Sequence, residues 1–547
     1  YQTREEWEKR KAALKKQILS AAGLYPMPPK TPLNPRVFGR IEHPDYTVEK
    51  VALETLPGYY LGGNLYRPKG RTGKLPAVAS PHGHWTYGRL EHQPLGSIPA
   101  RGVSLARQGY VVMTYDMVGY TDTIQTPHVF GNEREQLWGF GPLGLQLWNS
   151  IRVVDFLESL EEVDATRIAA TGASGGGTQT FLLAAVDERV RFAAPVNMVS
   201  AIMQGGSPCE NAPGLRFETF NVEIAAMMAP RPLLLVSATG DWTKNVPNEE
   251  YPAIKGIYEL YDQGAMVEAA QFDSPHNYHK DSREAVYRFF GKHILGETDR
   301  EKLSEAETKV EKLQDMLALH SRKLPEKALS YEELFAQWRS RSRAQTDGIA
   351  DKETLRNLLR HSIGAEWPAQ VASERDGERI VLSRPGKGDR VPGIYSPGAT
   401  PPALVVHPEG ADAARSEEAV RKMLLARRAV LLLDAFQTGA AAGPRDRSHE
   451  FFLTFNRSDD AHRVQDILTG LAFLRSRHAG KPELVGLGKA AVWSLFAAAL
   501  APADLKLTAD TGGFSGSDED FERDFFVPGI QRAGGLRTAM LLVEGTR

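Results

Sequence analysis

The sequence predicts an α/β fold, a mostly parallel sheet covered by helices on both faces, laid down once in the first half and again, incompletely, in the second. Three observations predict it. From about Tyr46 onward, short apolar runs alternate with amphipathic ones, the pattern of strands joined by crossover helices. A Gly-Ala-Ser-Gly-Gly turn at 172–176 lies between an apolar run and a helical one. Several landmarks of the first half recur in the same order in the second, as an internal duplication requires.

The elements follow in order. Residues 4–22 place Trp7, Leu14, Ile18 and Leu19 at helical spacing among Lys and Glu. Pro26, Pro28, Pro29, Pro32 and Pro35 then exclude a regular element and predict an extended arm. Val48–Leu56 and Tyr59–Tyr66 read as strands around a Pro57-Gly58 turn, and Ala77–Ser80 and Tyr110–Tyr115 as short buried strands. Leu145–Leu160 carries an apolar stripe of Trp148, Ile151, Val154, Phe156 and Leu157 and predicts a helix. A strand at Arg167–Thr171, a helix at Thr178–Ala185, strands at Arg191–Val196, Pro232–Ser237 and Val267–Phe272, and a helix at Ser282–Ile294 complete the first half. Residues 297–345 are charged and helix-prone, as in Glu301–Leu319 and Tyr331–Arg343, and predict a helical connector.

The expected domains are therefore an N-terminal helix and arm over 1–45, an α/β domain over 46–296, the connector over 297–345 and a second α/β domain over 346–547. A chain of 547 residues asks for more than one domain. Its composition, 42% hydrophobic and 24% charged, is that of a globular protein. A formal charge of −2 argues against a general nucleic-acid binder. A single cysteine, Cys209, excludes an intrachain disulfide and a cysteine-rich zinc module. No apolar run reaches the length of a membrane-spanning helix. Tyr1 in place of Met fits either a removed leader, with export to the periplasm or beyond as one expectation, or an arbitrary cut in the chain; compartment and oligomeric state stay open.

Gly172-Ala173-Ser174-Gly175-Gly176 is a G-x-S-x-G between a strand and a helix. In that setting the turn is so tight that the serine takes a strained backbone and presents Oγ at the carboxyl edge of the sheet. The competing reading, a phosphate loop, lacks its G-x-x-x-x-G-K-[ST] signature. A serine nucleophile needs a histidine base and an acid to orient it, and on this topology they follow in the order Ser, acid, His. Asp241 follows the strand Pro232–Ser237, and His276 follows the strand Val267–Phe272. His279 is the alternative base, Glu210 the alternative acid in the loop Gly205–Pro213, and Asp273 a turn residue. Asp281 and Glu284 are expected to cap the last helix.

Two backbone N–H groups should hold the oxyanion, that of Gly175 after the nucleophile and that of His84 in the loop Pro81-His82-Gly83-His84-Trp85. His82, His84 and His92 with Glu91 could instead suggest a metal site, but no further ligand cluster accompanies them; no metal or organic cofactor is expected. Trp85, Trp138 and Trp242 are candidates for stacking on a sugar ring, with Glu210 a further substrate-binding candidate. Each of these aromatic residues has core packing as its ordinary alternative.

These residues carry a family resemblance. The chain resembles the α/β-hydrolase superfamily, and residues 46–296 resemble bacterial proteins grouped with acetyl xylan esterases and dienelactone-hydrolase-like enzymes. The resemblance runs through His82–Trp85, Leu147-Trp148-Asn149 with Arg152, Thr171–Gly177, Cys209-Glu210-Asn211, Ala229-Pro230-Arg231-Pro232, Asp241-Trp242 and His276-Asn277-Tyr278, within a little under half of the chain. It implies the α/β-hydrolase fold, a triad of Ser174, Asp241 and His276, and oxyanion donors at His84 and Gly175. It also implies a small ester or acylated polysaccharide as substrate. Glucuronoyl esterases are a neighbouring group, but they usually carry Arg directly after the serine, where this chain has Gly175.

In the second half Gly488 stands where Ser174 does, within Gly486-Leu487-Gly488-Lys489-Ala490. The chain ends at Arg547, after an expected strand Thr538–Val543, before positions matching Asp241 and His276. The second copy is thus expected to be degenerate and without a nucleophile. Lys489, Arg445 and Arg447 could hold an acidic ligand, with a solvated surface as the plainer reading, and Gly439–Pro444 and Asp510–Asp520 read as loops. Two rival functions are a serine peptidase of the prolyl-oligopeptidase type, against which the short N-terminal segment counts, and a noncatalytic binding protein.

Overall fold

A computed structural model describes residues 1–320, 324–502 and 504–544. Residues 321–323 of the expected connector and the terminal Arg547 lie outside the described residues. Two compact units form, one from Tyr1–Gly131 with Gly141–Gln337, the other from Asn132–Phe140 with Trp338–Arg547. No helix among the described residues is long and apolar enough to cross a membrane.

Among the described residues, the main sheet of the first unit holds nine strands: β1 (Arg36–Glu42), β2 (Tyr46–Leu56), β3 (Tyr59–Pro68), β4 (Leu75–Pro81), β5 (Val111–Tyr115), β6 (Val163–Ala173), β7 (Val190–Val196), β8 (Leu233–Gly240) and β9 (Val267–Pro275). They lie in the order β1-β2-β3-β5-β4-β6-β7-β8-β9. β1 to β3 form an antiparallel meander, β3 meets β5 antiparallel, and every pairing from β5 to β9 is parallel. The parallel strands are short runs such as Ala77-Val78-Ala79 and Val111-Val112-Met113, all below one hundredth exposed. That is what a sheet covered on both faces demands.

Helices cover it as the periodicity implies. Pro142–Ser159 starts at a proline in its first turn, where the missing N–H is no loss. Ile98–Gln108, which the sequence reading missed, is capped by the Ser97 side chain and stopped by Gly109 at φ 111°. The N-terminal helix Arg4–Ala21 buries Trp7, Leu14 and Ile18 as expected. The sheet begins at Arg36 rather than Tyr46, because Arg36–Glu42 ends the arm by pairing with β2.

The helix expected over Glu301–Leu319 is absent except for Leu313–Met316. Side chains elsewhere in the unit claim this segment's polar groups. Asp122 accepts the backbone N–H groups of Ala318, Leu319 and His320, and Glu305 is held by Arg283 and Tyr287. Tertiary bonds here override helix propensity.

The second unit holds β10 (Ala372–Asp376), β11 (Arg379–Ser383), β12 (Val391–Ser396), β13 (Ala399–Val406), β14 (Arg428–Leu433), β15 (Glu483–Gly486) and β16 (Lys506–Ala509). Their order is β10-β11-β12-β14-β13-β15-β16. Counted from its own first strand, this repeats the order of the first unit through its seventh strand. The expected strand Thr538–Val543 is instead part of a helix, Gly535–Val543. Its buried residues Thr538, Ala539, Leu542 and Val543 recur at helical spacing, which decides against a strand. Asp518–Asp524, partly within an expected loop, is a helix capped by Ser517.

Candidate active site

β6 runs straight into the turn. Ser174 has φ 57° and ψ −127°, and the helix Gly175–Val186 starts immediately after it. A serine in this region of backbone space is strained. Close packing holds it there. A Cβ on Gly172 would lie 2.6 Å from Gly176 O, and one on Gly176 would lie 2.9 Å from the His82 carbonyl carbon. Small residues before and after the serine therefore let strand, helix and the 81–84 loop meet. Ser174 N donates to Val196 O at 3.1 Å, tying the turn to β7.

The acid and base loops leave β8 and β9 side by side. A Cβ on Gly240 would stand 2.8 Å from Ser274 O, so glycine permits the two loop backbones to touch. His276 Nδ1 lies 2.7 Å from Asp241 Oδ2. Asp241 Oδ1 accepts from Thr243 N at 2.7 Å and Thr243 Oγ1 at 2.5 Å, and its side chain is 2% exposed. With Oδ2 aimed at the ring, His276 carries its proton on Nδ1 and presents the Nε2 lone pair outward. Trp242 packs on the ring at 4.3 Å between centroids. No hydrogen bond joins Ser174 Oγ to His276 among the described residues; such bonds commonly close only around substrate.

The other candidates are occupied elsewhere. His279 caps the helix Lys280–Phe290, its Nδ1 accepting from Ser282 N. It thereby takes the capping role expected of Asp281 and Glu284, whose Glu284 pairs with Lys280 and Arg288 instead. Asp273 accepts from Thr239. Glu210 is 3% exposed, and its carboxylate accepts from Thr178 Oγ1 at 2.9 Å and Gly206 N at 3.0 Å. Burial raises its pKa. It braces the elbow helix and is not the acid bonded to His276.

The 81–84 loop lies against the nucleophile. A Cβ on Gly83 would meet Ala173 O at 2.7 Å and Ser174 Cβ at 3.0 Å. The His84 ring rests on Gly175, where a Cβ would lie 2.7 Å from its Cε1. Neither Gly175 N nor His84 N donates to a backbone carbonyl among the described residues. His82 fixes the loop from beneath. Its Nδ1 pairs with Gly83 O at 2.7 Å and its Nε2 accepts from Met117 N at 2.9 Å. Burial holds its pKa down at about 3, so the ring is neutral, as an acceptor at Nε2 requires.

Behind the loop, Arg89 is fully buried. It donates to Asn64 Oδ1 at 2.8 Å, to Asp122 at 2.6 Å and to Asp116. Sequence reasoning passed over this cluster, since nothing in the spacing of Arg89, Asp116 and Asp122 joins them.

The suspected metal set comes apart. His92 bonds Ser97 Oγ, Glu91 accepts from Tyr87 N, and His82 faces Met117. His84 instead meets two residues that were not considered with it. Its Nε2 lies 3.1 Å from His128 Nε2 and 3.3 Å from Cys209 Sγ. Its ring reaches solvent at one edge but is packed deeply enough that burial, and then His128, hold its pKa down at about 4.

Of the tryptophans, Trp242 is at the site. Trp85 packs over Gly96. Trp138 belongs to the second unit and is fully buried, with Nε1 bonded to Asp518 at 2.9 Å and Arg343 over its ring. It has no free face for a sugar. In the second unit Gly488 stands at φ 50°, close to the Ser174 value, but carries no nucleophile. Arg445 and Arg447 share one carboxylate, that of Asp459, and Lys489 pairs with Asp524, so each of these cations already has an acidic partner within the unit.

A parallel sheet with a strained serine between strand and helix, and a histidine and an acid on the next strand ends, is the arrangement of an α/β hydrolase. Comparison with known proteins agrees. Residues 39–199 match the acetyl xylan esterase (AXE1) family. The solved structure of Methylesterase BT1017 is similar at 31% identity over 65% of this chain and 77% of that one, with a TM-score of 0.54. A putative acetyl xylan esterase of Bacteroides fragilis NCTC 9343 is similar at 15% identity, over 49% of this chain and 76% of that one, with a TM-score of 0.41. Putative hydrolase YtaP of Bacillus subtilis (strain 168) is 26% identical over 192 residues, 33% of this chain. The match spans 62% of that relative's length. The chain belongs to the acetyl xylan esterase (AXE1) family of α/β hydrolases, a family of carboxylic ester hydrolases.

Proposed function

We propose that this chain is a serine esterase acting on acetyl esters of carbohydrate through an acyl-enzyme. The observation that carries the reading is the pairing of His276 Nδ1 with Asp241 Oδ2 at 2.7 Å, at the same carboxyl edge of the parallel strands where Ser174 is held at φ 57°. Ser174 Oγ attacks the ester carbonyl while His276 Nε2 takes its proton. The N–H groups of Gly175 and His84 receive the oxyanion. The tetrahedral adduct collapses, His276 protonates the leaving alkoxide, and the acyl group stays on Ser174. Water, deprotonated by His276, then releases the acid and restores the serine. Asp241 holds the ring in the needed tautomer and offsets its positive charge.

A second reading keeps this machinery and changes the ester. Likeness to a protein named as a methylesterase, at 31% identity, favours a methyl ester. The two differ in which side of the ester is small. Acetylated xylan, acetylated pectin and methyl-esterified pectin, assayed for acetate and methanol, separate them. Acetate release lost in Ser174→Ala supports the first; methanol release alone supports the second; turnover unchanged in Ser174→Ala contradicts both.

We further infer that the second unit is a degenerate copy of the first. The shared strand order and the positive φ at both Ser174 and Gly488 support this. On that reading it contributes no nucleophile. The proposed domain plan keeps the catalytic core at 46–296 and the degenerate domain at 346–547.

A further inference from the structure

We propose that His84, His128 and Cys209 form a binding site for a zinc-class divalent cation beside the nucleophile. One donor atom from each, an imidazole nitrogen from either histidine and the Cys209 sulfur, lies within 4.8 Å of the other two. The His84 Nε2 to His128 Nε2 distance is 3.1 Å, and Cys209 Sγ to His84 Nε2 is 3.3 Å. Zinc bound tetrahedrally to nitrogen and sulfur separates its ligand atoms by roughly 3.3–3.6 Å, given its usual bond lengths. The two distances to His84 are already close to that spacing, and the third pair, His128 and Cys209, lies within 4.8 Å.

The surroundings favour ligation as well. His128 Nδ1 lies 2.6 Å from Val118 O. That bond places the ring proton on Nδ1 and leaves the Nε2 lone pair facing the cluster, where Ser207 Oγ also reaches it at 3.1 Å and a cation would take that hydroxyl's place. The ligands come from three separate loops, and their order depends on the fold. Cys209 is buried, whereas His84 reaches solvent, so an ion has a path in. Two nitrogens and one sulfur are a soft to borderline donor set, suited to zinc over magnesium or calcium.

Binding balances simply. The cation displaces the Cys209 thiol proton to solvent and takes the thiolate and two neutral imidazoles. Three protein ligands leave a fourth position for an oxygen ligand, as in sites open to substrate or water. The ion would hold the His84 ring in place over Gly175, and so fix the loop that carries the proposed oxyanion N–H. The site does not depend on the esterase reading, since none of its ligands is Ser174, Asp241 or His276.

Titration of the full chain with Co²⁺ alone tests this. One equivalent should give a near-ultraviolet thiolate-to-cobalt charge-transfer band together with the strong visible bands of four-coordinate cobalt, and Zn²⁺ should displace it. Cys209→Ser should remove the charge-transfer band, and His128→Asn should weaken Zn²⁺ binding roughly tenfold or more. Ser174→Ala should bind as wild type does, which separates this result from any failure of the esterase reading. Should Cys209→Ser fail to fold by circular dichroism, the His128→Asn affinity and the wild-type band still decide. The proposal is overturned if wild type gives no charge-transfer band, if the band persists in Cys209→Ser, or if His128→Asn binds Zn²⁺ as tightly as wild type.

Discussion

Ser174, His276 and Asp241 act as one unit in the proposed mechanism, so their losses should not add. Ser174→Ala and His276→Ala should each lower kcat by about 10⁴-fold or more, and the double variant should be little worse. Asp241→Asn should keep the fold yet lose about 10⁴-fold, since its amide favours the wrong imidazole tautomer. Steady-state kinetics on a 4-nitrophenyl ester checks all three; additive losses would contradict a shared role. Gly83→Ala offers a finer test. The new methyl would meet Ala173 O at 2.7 Å, pushing the 81–84 loop off the oxyanion. A fall in kcat of roughly 10²–10³-fold with KM little changed is expected. These side chains were legible because a G-x-S-x-G and two strand ends fix them along the chain. His128 was not. A lone histidine in a loop has no spacing relation to His84 or Cys209, and only the fold brings the three together.

At the scale of elements, the parallel strands of the first unit were legible because buried parallel strands leave short, uninterrupted apolar runs, whereas the partly exposed antiparallel edge strand Arg36–Glu42 was not. Helix and strand were confused at Gly535–Val543, where a run as short as Ala-Met-Leu-Leu-Val satisfies either period. Glu301–Leu319 failed for the opposite reason: its propensity was helical, but Asp122 claims its backbone N–H groups. That carboxylate is itself held by Arg89, so the two make one structural joint. Removing the cation alone leaves two buried carboxylates unpaired. Arg89→Met should therefore cost about 3–5 kcal/mol in denaturant unfolding and loosen residues 313–320 in hydrogen exchange. A loss below about 1 kcal/mol would contradict the role given to this joint.

A pH dependence belongs to the helix Asp459–Arg477. Burial raises the pKa of Asp466 from the ordinary 3.8 to about 8, against the bond it accepts from Phe436 N at 2.8 Å. A carboxyl raised in this way binds its proton more tightly when folded. Its contribution is whole below the unfolded value and is lost as the pH rises through about 8. Over that interval the loss runs at about 1.4 kcal/mol per pH unit. Asp466→Asn stays neutral and should remove this slope. Its melting temperature should exceed that of wild type by more at about pH 9 than at about pH 5; parallel curves would contradict the assignment.

For the whole molecule, the sequence placed the division within 297–345; the compact units divide at Gln337, inside that span, and lend Asn132–Phe140 to the second. No composition signal marks such an exchange, because Trp138 reads as core in either unit. Within the second unit its indole bonds Asp518 and lies under Arg343. A chain cut after Gln337 strips Trp138 of those partners. Uncovering one large aromatic costs roughly 4–6 kcal/mol of buried area, so the truncated chain should aggregate or melt well below the full chain. A soluble truncation that melts as the full chain does would contradict the assignment of this segment.

The central claim is that Ser174 is an activated nucleophile. Reaction of the full chain with a fluorophosphonate, followed by peptide mass spectrometry, tests it most directly. The account predicts a single adduct on Ser174, formed far more slowly in His276→Ala. An unlabelled chain, or an adduct that forms at the same rate in His276→Ala, would contradict it.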